Sequence, residues 1–88
     1  MKIRLRGKWW KVLFKPLAKQ GGKYVWGTID MDARTITFHS KAKGQNLMDV
    51  VIHEGLHACF WDIDEEAIDQ SAQDITRLLV KLGFKQDE

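Results

Sequence analysis

Residues 46–60 read Asn46-Leu-Met-Asp49-Val-Val-Ile-His53-Glu54-Gly-Leu-His57-Ala-Cys-Phe60, and the reading of the whole chain turns on them. Val50, Val51, Ile52, Leu56, Ala58 and Phe60 make this segment an expected helix, apolar nearly all round and so expected to be buried. Asn46 is the expected cap, with Asp49 three residues on, where a carboxylate favours a helix N-terminus. Inside the helix, His53-Glu54-Gly55-Leu56-His57 is an H-E-x-x-H pentapeptide. Imidazoles at i and i+4 lie about 40° apart around a helix, close enough to hold one divalent ion, and Glu54 lies about 60° from His57. Two unpartnered histidines and a carboxylate in an apolar helix would be costly, so metal binding explains them better than chance. A metal held there lowers the pKa of a water toward roughly 7. Glu54 is placed to take the proton, which makes it the expected catalytic base, with zinc (Zn2+) the expected ion.

Downstream, Asp64 opens a second helix over 64–82, in which Ile68, Ala72, Ile75, Leu79 and Leu82 recur at spacings of 3 and 4. Gly83 and Phe84 read as a glycine stop with its hydrophobic contact. A catalytic zinc takes a third protein ligand, and His39, Asp62, Asp64, Glu65, Glu66 and Asp69 are the candidates. Glu65 stands three residues before Ile68 and seven before Ala72, so it continues the inward stripe. Glu66 is rotated by about 100° and suits the helix dipole. Helical phase therefore favours Glu65 and leaves Glu66 as the alternative. Asp69, one turn after Glu65, is placed to accept from the other ring nitrogen of a ligand histidine.

Upstream, the style changes to strands. Trp9, Trp10, Val12, Leu13 and Phe14 form a β-prone run ended by Pro16, and Tyr24, Val25, Trp26, Thr28 and Ile29 form a second after Gly21-Gly22. Ala33 to His39 alternates Ile36 and Phe38 against Thr35 and Thr37, with residues 30–33 as a hairpin link. Ile3 and Leu5 either extend the first strand or precede it as another. The expected fold is α+β: a small antiparallel or mixed sheet of three to four strands, within 1–40, packed on the H-E-x-x-H helix (46–60) and a C-terminal helix (64–82). All 88 residues read as one domain. Cys59 is the one cysteine, about 200° round the helix from His57, so it neither pairs nor faces the metal. Gly55 costs its helix about 1 kcal/mol relative to alanine, and close approach of another backbone is one account of it.

Charge divides the chain. Residues 1–45 hold eleven Lys/Arg and two acids, net +9, while 46–88 are net −7, for a formal +2 overall. Residues 1–23 carry eight of those cations and no acid, interleaved with Trp9, Trp10 and Phe14. Nucleic-acid contact through residues 2–23 is one reading; a solvated strand face or a contact with the acidic helices is the other. No apolar run approaches the roughly 20 residues of a membrane span, and no apolar leader follows the basic start, so no membrane partner and no secretion are expected.

His53-Glu-x-x-His57 followed by Glu65-x-x-x-Asp69 resembles, in compressed form, the gluzincin pattern of zincin-type metallopeptidases. Small phage and bacterial zincin-like proteins are the nearest likeness, and residues 65–72 are similar to the segment after the active-site helix in ImmA/IrrE-type metallopeptidases. The resemblance covers 24–83 loosely and 53–72 well. It implies zinc on His53, His57 and Glu65, Glu54 as general base, Asp69 supporting a histidine, and a small twisted sheet on the active-site helix. It also implies hydrolysis of a protein or peptide substrate in the cytoplasm of a bacterial or phage-infected cell. A metzincin would place glycine and histidine where this chain has Phe60 and Ile63. Tyr24 and His39 are the candidates for an oxyanion donor, with structural roles favoured for both. An extended substrate is expected to pair with an edge strand, 34–39 being the candidate. The competing functions are a nucleic-acid-binding or interaction module with a structural metal.

Overall fold

In the computed structural model, which describes residues 1–85, Arg6 at φ 48° and Gly7 at φ 78° close a two-residue hairpin. The N-terminal segment is therefore a strand of its own, β1 (Lys2–Leu5), antiparallel to β2 (Lys8–Lys15). Past Pro16 the chain turns at Gly21 and Gly22, both at positive φ, where Gln20 and Lys23 pair across the turn. β3 (Gly27–Asp30) then hairpins into β4 (Thr35–His39), with Asp30 Oδ1 accepting the Ala33 N–H at 3.0 Å. β4 inserts between β3 and β2, parallel to β2 and antiparallel to β3, which gives a mixed four-stranded sheet in the order β1-β2-β4-β3.

Two expectations change with that order. Residues 34–39 do not form an edge, because β4 is hydrogen-bonded on both sides; the edges are β1 and β3. The second strand is also shorter than expected, since pairing runs from Gly27 opposite Phe38 and β4 stops at His39. Tyr24, Val25 and Trp26 thus lie outside the strand for want of a partner, although the Trp26 carbonyl still accepts the His39 N–H at 2.8 Å.

One face of the sheet carries Trp10, Val12, Ile36 and Phe38 onto Ala58 of the first helix, with Leu5, Ile29 and Val50 packed around them. That helix, α1 (Gly44–Cys59), begins two residues before Asn46. Gly44, at φ 57°, swings the chain into the helix early, so Asn46 falls within the first turn and no side chain caps it. Nor is α1 buried all round: Gly44, Glu54 and Ala58 are its buried residues, and Val51 is exposed. The sheet covers one side and the second helix another, leaving a third side open to solvent.

The second helix, α2 (Glu65–Lys81), follows expectation at both ends. Asp64 Oδ1 accepts the Ala67 N–H at 2.8 Å, and Gly83 at φ 94° closes the C-terminus as the Phe84 N–H donates to Leu79. Its buried stripe is Ile68, Ala72 and Thr76; Ile75 and Leu82, expected to face inward, are exposed. Gln73, Thr76 and Arg77 already lie opposite Gln45, Asn46 and Asp49 at the start of α1, so the last turns of α2 run past their neighbour. Among the described residues no helix is long and apolar enough to cross a membrane.

The two helix starts separate a working cap from an idle one. Asp64→Ala is expected to cost about 1 kcal/mol, and Asn46→Ala to leave stability unchanged or slightly raised, as read by urea unfolding. Equal losses from both would contradict this assignment.

Candidate metal centre

α1 presents His53 and His57 one turn apart, their ring centroids separated by 5.0 Å. The five-residue link 60–64 returns the chain so that the first residue of α2, Glu65, arrives above both rings. Its Oε1 lies 2.9 Å from His53 Nε2 and its Oε2 lies 2.7 Å from His57 Nε2. One donor atom from each of the three residues falls within 4.8 Å of the others, and no other such group of His, Cys, Asp or Glu occurs among the described residues. Both imidazoles are mostly covered, whereas the Glu65 side chain is 68% exposed, so the cluster opens to solvent on the α2 side.

Asp69, one turn after Glu65, has its Oδ1 3.7 Å from His53 Nδ1. Its other oxygen accepts from Gln73 Nε2 at 3.1 Å, which holds the carboxylate in place. Asp69 thus stands behind the His53 ring on the Nδ1 side, while Nε2 faces Glu65.

Glu54 departs from its neighbours in burial: it is 5% exposed, on the side of α1 that meets β3. The residue across from it is Gly27. A methyl group added there would stand 2.7 Å from Val50 Cγ2 and 3.2 Å from Glu54 Oε2, so the carboxylate packs against bare backbone. Loss of hydration pushes the Glu54 carboxyl above the ordinary glutamate range, with His53 and His57 opposing that rise and Glu65 adding to it. Beside it opens a hollow of about 190 Å³ lined by Trp26, Gly27, Asn46, Asp49, Val50, His53 and Glu54. Asp49 is likewise pushed up, mainly by burial, and its Oδ1 lacks a hydrogen-bond partner.

The other candidate residues sit elsewhere. His39 is buried beneath Tyr24 and Trp26, and its Nδ1 accepts the Lys41 N–H at 3.0 Å. Tyr24 stacks on Trp26 with centroids 4.9 Å apart. Asp64 is the helix cap, and Asp62 and Glu66 are exposed outside the cluster. Cys59 is also outside it, its carbonyl accepting from Arg6 Nη1 at 3.0 Å. The suggestion of a close backbone approach at Gly55 is overturned, since a methyl group there meets nothing within 4 Å. Gly27 is the glycine under such a constraint. A lone glycine inside a strand-like run was the available signal for it.

His53, His57 and Glu65 thus form a zincin-like metal-binding triad on an α+β fold of the kind typical of gluzincin metallopeptidases. No protein-family model matches the chain, and no curated protein or solved structure matches it either.

The two glycines should respond in opposite directions to alanine. Gly27→Ala is expected to cost about 1–3 kcal/mol by overpacking against Val50 and Glu54, while Gly55→Ala gains up to about 1 kcal/mol from helix propensity. Thermal unfolding of both variants decides it, and a neutral Gly27→Ala would remove the tight contact.

Proposed function

We propose that this protein is a zinc-dependent metallopeptidase of minimal gluzincin-like form, acting on a protein or peptide substrate. The observation that carries the proposal is the meeting of three donor atoms, from His53, His57 and Glu65, beside a buried Glu54. The donor set fits the ion: two imidazole nitrogens and one carboxylate oxygen are a usual complement for catalytic zinc, which keeps a further position open. When bound, zinc supplies Lewis acidity that acidifies water and polarises a carbonyl.

The roles of the chain's own residues follow from where they stand. His53, His57 and Glu65 would hold the ion, and Asp69 would orient the His53 ring. Glu54 would hold and move a proton: desolvation raises its proton affinity, which suits an acceptor that later returns the proton to a leaving amine. Gly27 keeps β3 low next to Glu54, and β3 is an edge strand, so an extended peptide could add to it and pass over the hollow lined by Trp26 and His53. This replaces 34–39 as the docking strand. The resemblance to small phage and bacterial zincins, ImmA/IrrE-type enzymes among them, carries with it a setting in a bacterial or phage-infected cytoplasm.

Purified protein is expected to carry one zinc per chain by elemental analysis. His53→Ala, His57→Ala and Glu65→Gln should each lose it, and saturating zinc at about 100 times Kd should stabilise the fold by roughly 2.7 kcal/mol. Glu54→Gln is expected to keep the metal while kcat on an unfolded protein substrate falls by about 10²–10⁴. Undiminished turnover in that variant, or in protein stripped by a chelator, would overturn the mechanism.

A further inference from the structure

The face of the sheet turned away from the helices is not used by the metal centre, and its composition is unusual. Strand register puts Lys2 and Arg4 of β1 on this face beside Trp9, Lys11, Leu13 and Lys15 of β2. Lys2 stands directly opposite Lys11, and Arg4 opposite Trp9. Like charges directly opposite across a strand pair repel, and an anion laid over the exposed Lys2–Lys11 pair would relieve that repulsion. Trp9 is 58% exposed, with the Arg4 guanidinium 5.6 Å from its ring centroid. A hollow of about 180 Å³ opens here, lined by Lys2, Trp9, Trp10, Lys11, Ala33 and Arg34. Farther along the face, Lys19 and Lys41 lie 4.6 and 5.8 Å from the Tyr24 ring. Among the described strand residues the acid on this side is Asp30, at the far edge and engaged with the Ala33 N–H.

We propose that this outer face binds single-stranded nucleic acid, with phosphates on Lys2, Arg4, Lys11 and Lys15 and a base stacked on Trp9. From Trp9 to Lys15 the strand runs about 20 Å, room for a handful of nucleotides, at the low end of the site sizes of sheet-based single-strand binders. A base needs a flat, accessible aromatic ring, and phosphates need unpaired cations spaced along a track; the face supplies both. An acidic protein would use the cations but not the ring. The site is independent of the metal reading, since none of these residues belongs to the triad or its surroundings.

The test is fluorescence anisotropy of a labelled oligothymidylate of about 12 nucleotides on the intact protein. Four phosphate contacts predict a slope of log K against log salt of about −3. Lys11→Ala should make the slope shallower by about 0.7, whereas Trp9→Ala should weaken binding about 5- to 150-fold with the slope unchanged. An oligouridylate of equal length is expected to bind within a few-fold, because stacking and phosphate contacts do not involve the sugar. Absence of binding at about 50 mM salt would overturn the proposal. So would wild-type affinity in both Trp9→Ala and a Lys2→Glu/Lys11→Glu double variant of native far-ultraviolet dichroism, or equal competition by polyglutamate, which would assign the face to an acidic protein.

Discussion

Where the Glu65 carboxylate falls is set by how α2 docks on α1 through Ile68, Ala72 and Thr76. That stripe fixes the rotation of α2 about its own axis, and the Asp64 cap fixes where its first turn begins. With both settled, the first side chain of the helix reaches the two imidazoles, and the residue one turn later reaches the back of His53. A rotation of α2 by one residue, about 100°, would present Glu66 or Asp64 instead and break both contacts together. The core under the sheet has a parallel duty: Gly27 and Val50 bring β3 against α1 closely enough to strip water from Glu54.

Most of this was legible in the chain because it rests on local periodicity. The i, i+4 histidines, the Glu65–Asp69 turn and the Asp64 and Gly83 boundaries each depend on residues within one or two turns of one another. What sequence reasoning missed depends on partners distant in the chain. The interior position of β4 follows from pairing with β2, some twenty residues earlier, and alternation of side chains says nothing about which strand lies beside which. The early start of α1 came from Gly44, which lies outside the expected span of 46–60. The exposure of Ile75 and Leu82 reflects the relative lengths and offset of two helices, which an amphipathic pattern does not encode. Gly27 was visible as a residue, but its constraint becomes apparent only when Glu54 and Val50 arrive from another element.

The segregation of charge along the chain becomes a segregation in space. Many cations of the first half stand on the strands, and among the described residues most acids of the second half lie along the helices, with Glu54, Glu65 and Asp69 at the candidate metal centre. An apolar layer of Trp10, Val12, Ile36 and Phe38 lies between α1 and the outer face with its Lys2, Arg4, Lys11 and Lys15, while Arg6 and Lys8 stay on the helix side against Cys59 and Trp61. A small net charge of +2 therefore conceals an uneven distribution of charge over the molecule.

Because the third donor stands on the opening residue of a helix, the lifetime of any ion held there would be tied to the fraying of a single turn. Helix ends open far more readily than whole domains do, so release need not wait for unfolding, and the grip would be quick to renew when the turn re-forms. A centre built this way would exchange its ion on the timescale of end-fraying, in contrast to sites whose donors all lie in the middle of rigid elements.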